Sequence, residues 1–189
     1  MTTAKRFAVT ASASGNGKTT LGRELARRLD VPFVELDALV HGPGWAETPD
    51  EVLRDQLGPV LASDGWVIDG TYQRKLGDLV LRSADTVVWL DLPIWVWLPR
   101  LVRRTGRRLR GHEQLWNDNR ESLRGVLLGW DSLFLYALRS HVRRRREWPQ
   151  SLAQYEVVRL RTRRAVAAFL VAATATTNDC RRPGGEVWP

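Results

Sequence analysis

The chain has 189 residues, 43% of them hydrophobic, which is enough for one well-packed domain and short for two. No apolar run is long enough to span a bilayer, and Met1 to Arg6 carry no apolar signal core, so a cytoplasmic protein without a membrane partner is expected. The single cysteine, Cys180, excludes an internal disulfide and argues against a cysteine-based metal site. The net charge of +8 is unevenly placed: between Arg100 and Arg146 thirteen arginines face only Glu113, Asp118, Glu121 and Asp131, so that segment carries the whole excess. Lysine is rare, with only Lys5, Lys18 and Lys75, which sets Lys18 apart from background.

In chain order, a short apolar strand at 7–10 leads into Ser12-Ala-Ser-Gly-Asn-Gly-Lys-Thr-Thr20 and then a helix with Leu21, Leu25 and Leu29 on one face. Strand, glycine-bearing loop and helix together read as a phosphate-binding loop. Gly15 and Gly17 let the backbone curl so that N–H groups point inward, and the helix adds its positive end. Lys18 is placed to reach the β- and γ-phosphates, and the Thr19 hydroxyl to serve a Mg²⁺ shell. Ser14, Gly15, Asn16, Gly17, Lys18, Thr19 and Thr20 are therefore the expected nucleotide contacts. Ser12 stands where the motif has its first glycine, a departure that leaves open a loop that binds nucleotide without turning it over.

Further strands are predicted at 33–36, 66–68, 87–90 and 156–160, separated by helical patterns, which implies βαβ units and a parallel sheet. A second helix should open at Pro49 and run to Ala62. Another follows Leu92-Pro93 towards Gly106, and a mostly helical arginine-rich region extends to Arg146 before Trp148-Pro149 breaks it. The last helix is expected at 163–173, with 174–189 as a disordered tail rich in Thr, Asn, Pro and Gly. The expected domain is thus 1–173, with a lid region at about 100–146.

Three predicted strands end alike, in Phe33-Val-Glu-Leu-Asp37, Trp66-Val-Ile-Asp69 and Val87-Val-Trp-Leu-Asp91. In a parallel sheet all carboxyl ends share one edge, the edge from which the phosphate loop springs, so the three aspartates are expected to converge on the phosphates. Carboxylates beside a polyphosphate require a metal between them or a proton to accept. Each could instead cap the next turn.

Asp69-Gly-Thr-Tyr-Gln-Arg74 resembles the Asp-Gly-x-Pro-Arg segment of adenylate-kinase-type nucleoside monophosphate kinases, one residue longer. Leu90-Asp-Leu-Pro93 followed by Arg100, Arg103 and Arg104 is similar to that family's entry into its lid. Closer still, Leu36-Asp-Ala-Leu-Val-His-Gly-Pro-Gly-Trp45, Trp66-Val-Ile-Asp-Gly-Thr-Tyr72 and Val87 to Pro93 together resemble the small adenylate-kinase-like ATPases called topology modulation proteins. The resemblance implies a three-layer α/β P-loop NTPase fold with a five-stranded parallel sheet in the order 2-3-1-4-5 and a helical lid. It implies ATP and Mg²⁺, with Lys18 and Thr19 on phosphate and metal, Asp69 on the metal's waters, and Arg104 on the transferring phosphate. Arg74 would clamp phosphate or acceptor, Asp37 would orient an acceptor hydroxyl, and Arg100 and Arg161 would contact the nucleotide, Arg161 by stacking on adenine. Tyr72 and Trp45 are acceptor candidates, and Trp116 and Trp130 are weaker ones.

Planar, permanently charged arginines suit the charge that spreads over a γ-phosphoryl group in transfer, and two of Arg103, Arg104, Arg107, Arg108 and Arg110 are expected to reach the site, with Gly106 and Gly111 as flexible points. Arg143 to Arg146 reads either as a helix end or as a phosphate-backbone patch, the helix end being favoured. His41 and His112 stand apart from any ligand cluster. The leading expectation is ATP-dependent phosphoryl transfer to a small hydroxylated or nucleotide acceptor; the rival is a nucleic-acid-associated ATPase.

Overall fold

The computed structural model describes residues 5–42, 44, 46–111 and 133–179. Thirteen elements follow one another in these segments: β1 Arg6–Ala11, α1 Lys18–Leu29, β2 Phe33–Glu35, α2 Leu36–Val40, α3 Asp50–Leu61, β3 Trp66–Asp69, α4 Gln73–Leu76, α5 Leu79–Ser83, β4 Thr86–Leu90, α6 Ile94–Gly111, α7 Leu133–Ser151, β5 Val157–Leu160 and α8 Arg163–Asp179. The five strands form one parallel sheet in the order β2-β3-β1-β4-β5, as the sequence implied.

Strand alternation builds the layers, because successive side chains leave opposite faces. Phe7, Val9 and Ala11 of β1, with Val67, Val88 and Leu90, pack under Leu21, Leu25 and Leu29 of α1 and the apolar face of α8. Phe7 meets Phe169 edge-on at 6.2 Å. Ala8, Trp66, Ile68, Val87 and Trp89 turn the other way, onto Leu36, Leu53, Leu57, Leu76, Leu81 and Leu152. Both faces of the sheet are therefore covered, as a parallel sheet requires. A third cluster, Ala13, Trp97, Leu101 and Ala137, fastens α6 and α7 to the phosphate loop.

Asp85 pins the start of the two central strands. Its Oδ2 accepts from the Lys5 and Arg6 backbone N–H groups at 3.0 and 2.9 Å, and its Oδ1 from Arg6 Nε and Nη2 at 3.0 and 2.6 Å. Burial pushes this carboxyl up, but the Arg6 guanidinium and the two N–H groups outweigh it and leave it below the usual aspartate value. A depressed folded value stabilises above the unfolded aspartate range, about pH 4, and the contribution is lost as pH falls through the folded value. Asp85→Asn should accordingly destabilise by about 1 kcal/mol at pH 7, the half-exposed Arg6 limiting the effect, and by clearly less at pH 3. Urea unfolding of both proteins at the two pH values reads the difference.

Several boundaries differ from expectation. Leu36 opens α2 instead of closing β2. Pro149 does not end α7, which continues to Ser151, because Trp148 is held edge-on against Trp89 at 5.4 Å and by the Arg144 guanidinium at 5.1 Å. α6 passes through Gly106, so that glycine is a helical residue and not a hinge. α8 extends six residues beyond Ala173. The middle of the expected lid, 112–132, and with it His112, Trp116 and Trp130, lies outside the described residues, as do Trp45 and Cys180.

Candidate active site

Between β1 and α1 the chain turns through two left-handed glycines, Gly15 at φ 82° and Gly17 at φ 93°. A Cβ on Gly15 would also lie 2.8 Å from the Trp97 carbonyl oxygen, so α6 rests directly on the loop. Ser12, by contrast, is not among the positive-φ residues, and its side chain costs the turn no strain. It is fully buried, donates to Asp91 Oδ1 at 2.7 Å and accepts from Trp89 Nε1 at 2.8 Å. The residue that looked like a degraded motif is a bonded node. Asn16 is committed within the loop: Nδ2 donates to the Ala13 carbonyl at 2.9 Å and Oδ1 accepts from Leu92 N at 3.0 Å.

Lys18 and Thr19, on the first turn of α1, converge on Asp69 at the carboxyl end of β3. Lys18 Nζ lies 2.5 Å from Asp69 Oδ1, and Thr19 Oγ1 donates to Asp69 Oδ2 at 2.6 Å. Asp69 is 1% exposed, so its charge depends on these two partners. Glu35, which the sequence reading did not single out, stands opposite Asp69 in the β2–β3 register, with Oε1 3.4 Å from Thr19 Oγ1 and Oε2 paired to Arg23 at 3.1 Å. One hydroxyl and two carboxylates are all-oxygen donors of the kind a hard Mg²⁺ takes beside phosphate oxygens. The residues fit the metal that the motif implies.

Asp37 lies on α2, two residues past Glu35. Its Oδ1 accepts from the Tyr72 hydroxyl at 2.5 Å, and that hydroxyl also lies 3.2 Å from His41 Nε2. Burial, and then the Asp37 charge, raise the Tyr72 hydroxyl well above the usual tyrosine range, so it remains protonated. Arg74 points elsewhere: its side chain is 88% exposed and faces Glu47 at 3.8 Å.

Of these groups, Lys18, Thr19, Glu35 and Asp37 line a cleft of about 1390 Å³, together with the rest of the loop from Gly15 to Leu21 and with Arg100, Arg104 and Arg108. The three arginines recur every four residues and so share one face of α6. Among the five lid arginines predicted, Arg104 and Arg108 line the cleft, as does Arg100. Burial and the neighbouring Arg163 lower the Arg100 pKa, as expected where cations crowd an anion site. Arg161 is exposed and does not line the cleft. Arg163, with Val166, Ala167 and Leu170, supplies the α8 wall in its place. Ser14 is also absent from the lining, whereas Thr20 is present.

Asp91 departs from the expected convergence. It is buried behind the loop, where its Oδ2 accepts from Arg159 Nε and Nη2 at 3.0 and 2.7 Å and its Oδ1 lies 3.2 Å from Arg145 Nε. The Arg159 guanidinium in turn stacks on Trp89 at 3.9 Å. Arg144 donates to the Ala11 carbonyl at 2.8 Å, at the point where β1 becomes the loop. Burial lowers its pKa. Two of the four arginines in the 143–146 run are thus structural ties to the loop, and Arg143 faces Glu147 at 3.9 Å.

Fold and site together define an α/β P-loop domain, in which one edge of a 2-3-1-4-5 sheet carries the phosphate loop and a strand-end carboxylate. Comparison with known proteins narrows the likeness. The shikimate kinase family model matches residues 14–43, a stretch that holds the loop from Ser14 onward, Glu35 and Asp37. Shikimate kinase from a Sulfurihydrogenibium species is 28% identical over 109 residues, covering 50% of this chain and 66% of that protein. The chain spans about half to two thirds of the length of such relatives. Among solved structures, shikimate kinase from Bacteroides thetaiotaomicron matches with a TM-score of 0.52 at 20% identity, covering 92% of this chain and 98% of that one. A gluconokinase from Sinorhizobium meliloti matches with a TM-score of 0.51 at 21% identity over 95% of each chain. These structural likenesses bear on the fold.

Proposed function

We propose that the protein transfers the γ-phosphoryl group of ATP to a hydroxyl of a small acceptor. The observation that carries this reading is the convergence of Lys18 and Thr19 on buried Asp69 beside a cleft that Asp37 also lines. Asp69 and Glu35 stand beside Thr19 on the phosphate side, and Asp37 is a further carboxylate available to an acceptor hydroxyl. The loop backbone and Lys18 hold the polyphosphate, while Arg100, Arg104 and Arg108 face the charge that develops on the transferring group. Thr19, Asp69 and Glu35 are the residues that would hold Mg²⁺, which when bound neutralises phosphate charge and orients the β- and γ-groups. Asp37 accepts the hydroxyl proton as the acceptor oxygen bonds to phosphorus and the β–γ bridge breaks, releasing ADP. The arginine-bearing helix, which rests on the loop, shields that side of the polyphosphate from water and limits hydrolysis.

The similarity to shikimate kinases and a gluconokinase favours a polyhydroxylated carbon skeleton as acceptor. The nucleic-acid-associated ATPase is disfavoured, since Arg144 and Arg145 are spent inside the fold. The test is ADP release from Mg-ATP with shikimate, gluconate, other polyols, nucleosides and nucleoside monophosphates. One acceptor class should stimulate release at least tenfold, and Asp37→Asn should abolish the stimulation. Salt-sensitive stimulation by DNA or RNA alone would overturn the reading.

A further inference from the structure

On the acceptor side three side chains form a chain of hydrogen bonds that phosphoryl transfer does not itself demand: His41 Nε2, Tyr72 Oη and Asp37 Oδ1, with separations of 3.2 and 2.5 Å. A phenol has one hydrogen, and an ionised carboxylate has none to give, so Tyr72 donates to Asp37. The imidazole nitrogen at 3.2 Å must then supply the hydrogen of the other bond, which fixes His41 as the Nε2–H form. The ring of His41 also meets that of Tyr72 edge-on at 6.3 Å. Because burial and the Asp37 charge keep the phenol protonated, the chain has a fixed direction over the working pH range.

The backbone points to the same purpose. Tyr72 adopts φ 39°, ψ 47°, one of two non-glycine residues with positive φ among the described residues. A left-handed conformation at a bulky residue is strained, and such strain persists where the surroundings over-determine it. Here the Tyr72 carbonyl is held by Lys75 N and Leu76 N at 2.8 and 2.9 Å as α4 begins. Glycine would serve that turn without strain. Only a residue with a long polar tip brings a donor to Asp37 from this position.

We propose that Tyr72 and His41 are positioning residues that occupy Asp37 Oδ1 and leave Oδ2 as the single oxygen facing the acceptor. A carboxylate with one oxygen engaged cannot rotate, so it receives the acceptor hydroxyl in one orientation and takes its proton on Oδ2 while the new O–P bond forms and ADP departs. The acceptor is then a molecule phosphorylated at one defined hydroxyl. This inference rests on the phosphotransfer reading above.

Tyr72→Phe keeps the ring and removes the donor. With whichever acceptor the wild-type protein uses, its kcat should fall about tenfold while KM for ATP stays within twofold. His41→Gln, which retains an N–H, should hold kcat within threefold, whereas His41→Ala should match Tyr72→Phe. Wild-type kcat in Tyr72→Phe, or equal losses in both His41 variants, would overturn the proposal. A second measurement needs no acceptor: ¹⁵N NMR of the imidazoles should show His41 as the Nε2–H form in the wild type and a changed form in Tyr72→Phe. An Nδ1–H form in the wild type overturns the hydrogen-bond chain even if transfer is found. If no acceptor is phosphorylated but the Nε2–H signature is present and responds to Tyr72→Phe, the phosphotransfer reading fails while the positioning of Asp37 stands.

Discussion

Lys18→Ala should lower acceptor-dependent turnover by two to three orders of magnitude, about the effect of deleting one preorganised charge from a developing oxyanion. Lys18 is the point charge nearest the strand-end carboxylate, and no other lysine exists near the loop to replace it. The arginines of α6 line the same cleft from a different element and do not stand on the first turn of α1, where Lys18 meets Asp69. Removing Lys18 also strips Asp69 of its cation, so part of the change would appear as lost stability. Two measurements separate the effects: the unfolding midpoint of Lys18→Ala, and the turnover of Lys18→Ala with Asp69→Asn, where the stranded charge is gone. Turnover should stay low in the double variant while the midpoint recovers.

Asp91→Ala should be the most destabilising single change in the loop region, by about 3–5 kcal/mol. The substitution leaves Arg145 and Arg159 without their shared carboxylate and deprives the buried Ser12 hydroxyl of its acceptor, all behind the phosphate loop. In a domain of this size that loss corresponds to a fall of roughly 10 °C in the melting temperature. Asp91→Asn keeps an acceptor for Ser12 and should lose less. Urea unfolding reads both variants, and a change below 1 kcal/mol in Asp91→Ala would show that the paired charges do not hold the loop.

Asp37, Asp69 and Asp91 look alike in the sequence, each closing an apolar run, yet they do three different things. What separates them is register. Asp69 ends the strand beside β1 on the side of α1, within reach of Lys18. Asp91 ends the strand next to β5, where Arg159 stands opposite Trp89 and α7 returns Arg145 to the same spot. Partners 54 and 68 residues away leave no local mark. The same reason hid Glu35, whose significance comes from standing across from Asp69, and His41, whose partner lies 31 residues on.

The strands and the loop were legible because short apolar runs and the glycine–lysine–threonine spacing are local signals, whereas the strand order came from the family resemblance. Short α4 and α5 were not, since four- and five-residue helices carry too little periodicity to read. Arg161 and Arg163 illustrate the limit on a single helix start. Both precede the same apolar stripe, and only the packing of α8 on α1 decides which one faces the cleft.

The most direct measurement follows the phosphorus itself. Mg-ATP is incubated with the stimulating acceptor and monitored by ³¹P NMR, with the Asp37→Asn protein alongside. A new phosphate-ester resonance should appear in step with ADP while inorganic phosphate stays minor, and Asp37→Asn should show neither. If inorganic phosphate accounts for all the ADP with every acceptor offered, the protein is an ATPase and the acceptor role of Asp37 is wrong.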